Sequence, residues 1–202
     1  NESKLFDLMK TKDNDAQVSL FELMETDMFS YPSTDAQSDA QFAGIPYWLQ
    51  YSATAGFNGG NASSFSAGPA GVSAVTYPAT CNYTDIYVNV SMPDLIEKVK
   101  LASWSTDFQS PVTGNPSGMT QSDERVWLTT YGVRAGIETL VTMQNDNIGR
   151  NITEYYNKGL LMGNPLTAVP YMTQDATINP AAPLLGLNFN AFKIAVLEGM
   201  DI

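Results

Sequence analysis

Apolar side chains recur at helical spacing over the first thirty residues of the chain. Charged positions mostly separate them, and neither glycine nor proline occurs before Pro32. This pattern predicts one continuous helix over residues 3–29, about 40 Å long at a rise of ~1.5 Å per residue. In a chain of 202 residues, such a helix indicates a strut across the molecule, with an ordinary amphipathic core helix as the alternative. The apolar positions are Leu5, Met9, Ala16, Leu20, Leu23 and Met28.

Later segments alternate between strand and helix patterns. Residues 84–90 alternate and are rich in β-branched side chains, which predicts a strand. A helix over 92–104 follows, with Ser91 as a candidate N-cap, Pro93 in the first turn and Asp94 as the capping-box acid. Apolar runs further along predict a strand at 125–130, a helix over 133–143, two short strands or a hairpin within 160–170, and a closing strand at 192–197.

Glycine, proline and small polar residues dominate three other stretches. They predict loops at 52–80, 107–123 and 173–186. A loop as long as residues 52–80 is typical of functional or interface segments. The helices are separated and the strands are short, so the predicted fold class is α+β.

Composition narrows the range of functions. Hydrophobic residues make up 44% of the chain, enough for a packed core, and only 15% are charged. The formal net charge of −11 repels nucleic-acid phosphates and argues against tight, sequence-specific binding. Histidine is absent and Cys81 is the single cysteine, which excludes an intrachain Ser-His-Asp or Cys-His pair, a Cys/His zinc site and an intrachain disulfide. No run approaches the ~20 apolar residues of a membrane span.

Carboxylates and aromatic rings are the remaining candidates for chemistry. Asp-Asn-Asp at 13–15 is similar to the start of a calcium loop, but the later glycine and glutamate are missing and a solvated helix face is the alternative. Asn-Asp-Asn at 145–147 either offers oxygens to a cation or simply ends a helix. An aromatic cluster consists of Tyr47, Trp48 and Tyr51. These rings could bind a sugar or a nucleic-acid base, and packing in the core is the alternative. No constellation of nucleophile, base and oxyanion donors emerges, so we expect no enzymatic activity, no cofactor and no bound metal.

The order of elements after Arg125 matches a known pattern. A strand at 125–130 and a helix ending in Leu140 precede Asn-Asp-Asn-Ile-Gly at 145–149, and Gly-Asn-Pro-Leu follows at 163–166. This order resembles the axial domain of tailed-bacteriophage major capsid proteins with the HK-ninety-seven-like fold. In that family a strand and a helix precede a Gly-x-Pro-Val hairpin.

Other segments extend the resemblance over most of the chain. The helix at 3–29 is similar to the family's spine helix, and the helix at 92–104 is similar to the second helix of its peripheral domain. The resemblance implies a peripheral domain of residues 1–123 with 191–202, and an axial domain of residues 124–190. The family's N-terminal arm, extended loop and final peripheral strands have no counterpart, so we expect this sequence to be a fragment.

The resemblance implies a structural subunit that self-assembles into hexamers and pentamers of an icosahedral shell around double-stranded DNA. Such a subunit assembles in the host cytoplasm and resides in the virion. Its main partner is itself, scaffold, portal or decoration proteins are further partners in the family, and the DNA is enclosed without sequence-specific binding or any membrane. Two alternatives stay open: an extracellular binding or surface-layer module, and a carboxylate-based glycoside hydrolase, which needs two acids flanking a cleft.

The resemblance also places a subunit contact. The tip of the axial domain, at roughly residues 145–160, is expected to pack around the five- and six-fold axes. Amides and aromatic rings adapt to both rings, and Arg150 beside Asp146 and Glu154 is placed to pair with the next subunit. A local Arg150–Glu154 pair on an exposed loop is the alternative. The predicted contact residues are Asn145, Asp146, Asn147, Arg150, Glu154, Tyr155 and Tyr156.

Overall fold

A computed structural model describes most of the chain, in two compact units of residues 1–86 and 87–202. The described residues are 2–30, 43–62, 65–106, 125–145, 159–175, 178 and 181–189. The predicted loop at 107–123 and the predicted closing strand at 192–197 lie outside them. Within the described ranges the fold mixes helices with one four-stranded sheet, as the predicted α+β class requires.

The first unit opens with one continuous helix, Glu2–Met28 (α1). This confirms the uninterrupted helix predicted over residues 3–29. The side chains from Leu8 to Met24 are exposed, so the alternative of a buried core helix is wrong. Burial begins only at Phe29, just after the helix. There Gly44 packs so closely that a β-carbon would lie 2.1–2.7 Å from the carbonyl oxygens of Asp27, Met28 and Ser30.

The rest of the first unit is largely irregular, as predicted for residues 52–80. It contains a short helix, Ile45–Trp48 (α2), and two 3₁₀ turns, Pro69–Gly71 and Pro78–Thr80.

The strand predicted over residues 84–90 is wrong. Thr84 forms only an isolated antiparallel bridge with Gly56. The backbone N–H groups of Val88 and Asn89 donate to the carboxylate of Asp94, so they are not available to a ladder. Val88 is 82% exposed, and the alternation therefore has no sheet face to bury.

The second unit begins with a helical segment close to its predicted bounds of 92–104. A wide π-helical turn, Met92–Ile96, leads into the α-helix Glu97–Ser105 (α3). Ser91 has the extended backbone of an N-cap but makes no side-chain capping bond among the described residues. Asp94 instead reaches back to residues 88 and 89, beyond the capping-box position.

Four strands form the sheet of the second unit. The strands are Arg125–Thr129 (β1), Leu160–Leu161 (β2), Asn164–Ala168 (β3) and Leu184–Asn188 (β4), in the order β2-β3-β1-β4. The parallel neighbours β1 and β3 are joined by a crossover that contains the helix Tyr131–Asn145 (α4). The other two pairings are antiparallel. The strand at 125–130, the helix at 133–143 and the hairpin at 160–170 are thus confirmed.

Two elements differ from the sequence prediction. The helix Pro170–Gln174 (α5) and strand β4 lie partly within the loop predicted at 173–186. Strand β4 pairs along its whole length with β1, nearly sixty residues earlier. The proline-rich neighbourhood indicates a loop, whereas this distant partner makes the segment a strand.

The core of the second unit lies where α3, α4 and the sheet meet. The indole Nε1 of Trp127 donates to the carbonyl of Leu161 at 3.0 Å. Gly186 lies opposite Trp127 on β4, and a β-carbon there would come within 2.8 Å of the indole ring. This core contains residues of both α3 and β1. The resemblance assigns α3 to the peripheral domain and β1 to the axial domain, and that division into two domains stays a prediction. The buried cluster consists of Leu95, Ile96, Val99, Trp127, Val133, Ile137, Leu161 and Leu166.

Candidate assembly surfaces

Most of the exposed apolar side chains of α1 lie along one face, with Val18 and Phe21 on the other side. At ~100° per residue, positions 9, 16, 20, 23 and 24 fall on one side of the helix. We call this set the α1 stripe. The exposed fractions are 60% for Met9, 37% for Leu20, 57% for Leu23 and 39% for Met24. Soluble monomers rarely expose contiguous apolar surface on this scale, which is instead typical of an interaction site.

Charge is divided unequally between the two ends of α1. Residues 2–12 contain three lysines and two acids, a net charge of +1, whereas residues 13–28 contain five acids and no base, a net charge of −5. Within the helix, the Lys12 ammonium lies 3.9 Å from the Asp15 carboxylate, and both groups are largely exposed. Such a pair contributes little to stability, but the asymmetry favours one orientation of a charged partner.

A second exposed surface lies on the irregular segment of the first unit. We call it the aromatic loop and define it by six large apolar or aromatic side chains that are more than 40% exposed: Trp48, Tyr51, Phe57, Val72, Val75 and Tyr77. Behind them, Tyr47 packs edge-to-face against both Trp48 and buried Phe65, at centroid distances of 5.0 and 4.9 Å. The predicted aromatic cluster therefore divides, because Tyr47 supports the loop whereas Trp48 and Tyr51 face solvent.

Two asparagine side chains hold the aromatic loop in place. The Asn82 side chain makes two hydrogen bonds to the backbone of Gln50, as a neighbouring strand would. Its amide nitrogen donates to the Gln50 carbonyl at 2.9 Å, and its oxygen accepts from the Gln50 N–H at 3.0 Å. Asn61 bridges a second pair of turns, donating to the Ser66 carbonyl and accepting from the Ala74 N–H. Sequence reasoning missed both roles, since asparagine in a polar loop is a common signal that does not specify its partner.

Asp94 contacts three donor groups of the second unit. One carboxylate oxygen lies 2.8 Å from the Lys98 ammonium, and the other accepts the Val88 and Asn89 N–H groups at 2.8 and 2.7 Å. The hydrogen bond from Lys98, followed by those from the two backbone groups, lowers the pKa of Asp94 to about 2. A glycoside hydrolase needs an acid with a raised pKa, and Asp94 is ionised at neutral pH. Its geometry suits an anchor for the start of the helix.

Two tyrosines have raised pKa values. Burial raises the pKa of Tyr87, and the nearby Asp94 charge adds to the effect. Its hydroxyl donates to the carbonyl of Ala182. Desolvation, followed by Asp175, raises the pKa of Tyr171, whose hydroxyl lies 3.3 Å from that carboxylate. Both phenols stay protonated at neutral pH. As hydrogen-bond donors, Tyr87 joins two irregular segments, and Tyr171 joins α5 to the residue that follows it.

Metal-binding chemistry finds no support within the described ranges. They contain no group of three or more carboxylate or cysteine side chains arranged to hold an ion. Asp13 and Asp15 lie on the exposed surface of α1, as expected for a solvated helix face. In the same part of the chain, no helix is long and apolar enough to cross a membrane.

The predicted ring contact falls almost entirely outside the described residues. Asn145 is the last residue of α4, while Asp146, Asn147, Arg150, Glu154, Tyr155 and Tyr156 are not described. The hairpin that follows is described: it turns through Met162 and Gly163, both with positive φ (53° and 78°), the conformation that matches the twist of a two-residue hairpin. The ring contact itself stays a prediction.

Comparisons of the chain with protein-family models, with curated proteins and with solved structures found no match.

Proposed function

We propose that the chain is a structural shell subunit. It self-assembles into hexamers and pentamers of an icosahedral shell that encloses double-stranded DNA, as the tailed-bacteriophage major capsid proteins that it resembles do. The observation that carries the proposal is the exposed apolar face of α1, together with the exposed aromatic loop. Surfaces of this kind are costly in an isolated molecule and are covered in an assembly.

The arrangement of the second unit supports the same proposal. Strand β1, helix α4 and the β2–β3 hairpin follow one another in the order of the resembled axial domain. The HK-ninety-seven-like fold itself, with its peripheral and axial domains, is part of the proposal.

The charge of the chain suits a container for DNA. A net charge of −11 repels phosphates, so packaged DNA stays mobile instead of adhering to the shell wall. The proposed location is the virion, after assembly in the host cytoplasm, with scaffold, portal or decoration proteins as additional partners.

Electron microscopy of the purified chain tests the proposal. We expect closed particles or, where other components are needed, separate hexameric and pentameric rings. A uniform monomer under every assembly condition, with and without candidate scaffold protein, would contradict the shell function.

The ring contact has its own test. Because Arg150 is expected to pair with an acid of the next subunit, Arg150→Glu should prevent ring formation through like-charge repulsion. Arg134→Glu is the matched control: it makes the same charge change on α4, where Arg134 pairs with Glu138 at 2.9 Å on the same helix. Normal assembly of Arg150→Glu at physiological salt would rule out the ring contact.

A binding module is the second candidate, because the rings of Trp48 and Tyr51 face solvent. Exposed aromatic rings bind the apolar faces of sugars, as well as protein partners. Calorimetric titration of the chain with soluble polysaccharides separates the two candidates. Saturable binding that Trp48→Ala abolishes, by a chain that forms no particles, would favour the module over the shell.

A further inference from the structure

We propose that α1 pairs with α1 of a second copy, antiparallel and centred on Ala16. The α1 stripe supplies the surface, and the uneven charge of the helix sets the orientation. The helix pair is one specific contact within the proposed self-assembly. It rests on the proposed function in one respect, that the partner is another copy of the chain.

The spacing of the stripe defines the register. Met9 and Leu23 each lie seven residues from Ala16, two helical turns along the same face. In an antiparallel pair with Ala16 at the two-fold axis, Met9 of each copy therefore packs on Leu23 of the other. Leu8 and Met24, each eight residues from Ala16, flank the seam on its two opposite edges. The small side chain of Ala16 lets the two backbones approach closely at the centre.

Electrostatics favours the antiparallel orientation over the parallel one. Lys12 and Glu22 lie on the same edge of the antiparallel seam, about 40° and 120° from Ala16 at ~100° per residue, so each lysine lies beside the partner's glutamate. Lys12 and Leu20 lie four residues before and four residues after Ala16. In the antiparallel pair, the methylene stem of Lys12 therefore covers the partner's Leu20. A parallel pair would instead place the two segments of net charge −5 side by side and repel itself.

Single-cysteine cross-linking tests the register directly. Each variant carries Cys81→Ser, so that its only thiol is the introduced one. Because Ala16 lies at the two-fold axis, Ala16→Cys should form disulfide dimers under mild oxidation with oxidised glutathione. A mixture of Met9→Cys and Leu23→Cys should form the mixed dimer in preference to either homodimer. Val18→Cys is the matched control, because Val18 is 56% exposed yet lies on the opposite side of the helix.

The cross-linked fraction of Ala16→Cys should exceed that of Val18→Cys by about fivefold or more, since a disulfide needs β-carbons within ~4.5 Å of each other. Homodimers of Met9→Cys would show a parallel pair and overturn the proposal. Yields no higher than the Val18→Cys control would overturn it as well, and would indicate that another surface covers the stripe. Circular dichroism of each variant confirms that the helix is retained.

Charge reversal gives an independent measurement. Lys12→Glu and Glu22→Lys should each weaken self-association several-fold at low salt, because each places like charges opposite one another. The double variant restores both pairs and should recover the association. Continued weakness of the double variant would contradict the register.

Failure of this proposal and of the shell function can be told apart. Dimers cross-linked through Ala16→Cys without any rings or particles would support the helix pair and contradict the shell. Particles without these cross-links would support the shell and contradict the pair.

Discussion

Helices α1 and α4 both carry apolar side chains at helical spacing, but their surroundings are very different. On α4, Val133 and Ile137 are only 3% exposed, because the crossover between parallel strands lays that helix on the sheet. On α1, the apolar stripe faces solvent over four turns. An apolar pattern thus indicates which face of a helix needs burial, but the topology decides whether the same chain provides the cover.

The exposure of α1 also raises the question of what keeps this helix stable. Isolated helices are of marginal stability in water, since most helical stability in proteins comes from packing of the apolar face. The burial of Phe29 and the close approach of Gly44 anchor only the C-terminal end. The rest of α1 is therefore expected to gain stability when a partner covers the stripe.

The largest expected difference in the free energy of unfolding is between the variants Ile137→Ala and Leu23→Ala. Removing the buried Ile137 side chain should lower the free energy of unfolding by about 2–5 kcal/mol. Leu23→Ala in dilute, unassembled protein should change it by no more than about 0.5 kcal/mol, because Leu23 is 57% exposed. Urea denaturation of the two variants measures both values. Equal losses would mean that α1 is already packed within the monomer.

A smaller loss is expected for Gly186→Ala. Its β-carbon would lie 2.8 Å from the indole of Trp127, whose ring is fixed by the bond to Leu161. Overpacking of this kind costs about 1–3 kcal/mol. Gly132→Ala on α4 is the matched control, with nothing within 4 Å of the added carbon, and should be neutral or slightly stabilising. If both variants unfold at the same urea concentration, the close approach of Gly186 to Trp127 does not prevent a larger side chain at position 186.

The pH dependence of stability should trace to Asp94. Its pKa is about 2 in the folded chain against an ordinary 3.8, with Lys98 as the main cause. The stabilisation is therefore complete above pH ~4 and is lost as the pH falls toward ~2. Asp94→Asn should be less stable at pH 7 and show a shallower decline over that window, measured by urea denaturation at each pH. Unchanged slopes would exclude Asp94 as the source.

The smallest effect is expected for Cys81→Ser. The thiol is only partly buried and its sulfur lies 4.0 Å from the carbonyl of Ala74, a weak contact that a hydroxyl can replace. Thermal unfolding should show a change within about 0.5 kcal/mol. A large loss, or loss of particles from folded protein, would reveal an interchain role for this thiol.

Local patterns predict the elements that have strong signals of their own. The unbroken stripe of α1, the Ser-Met-Pro-Asp start at 91–94 and the β-branched strand β1 are all visible in the sequence. Strand β4 depends on pairing with distant β1, and residues 84–90 lose their strand because Asp94 takes two of their amides. The pattern of alternating side chains shows neither the distant partner of β4 nor the capture of these amides by Asp94.

The candidate surfaces were only partly predictable. The α1 pattern indicates an apolar face, but exposure of the stripe follows from the tertiary structure. The roles of Asn61 and Asn82 depend on partners 5 to 32 residues away, and an isolated asparagine in a loop gives no sign of them.

Sedimentation velocity of the wild-type chain over a range of concentrations tests the central claim, that other copies cover the exposed apolar surface. We expect species at multiples of the 22.0 kDa monomer mass, and their share should grow with concentration. Leu20→Glu combined with Leu23→Glu should reduce them at least several-fold, since charges in the stripe oppose its burial. A single monomeric species at every concentration, unchanged by these substitutions, would contradict it.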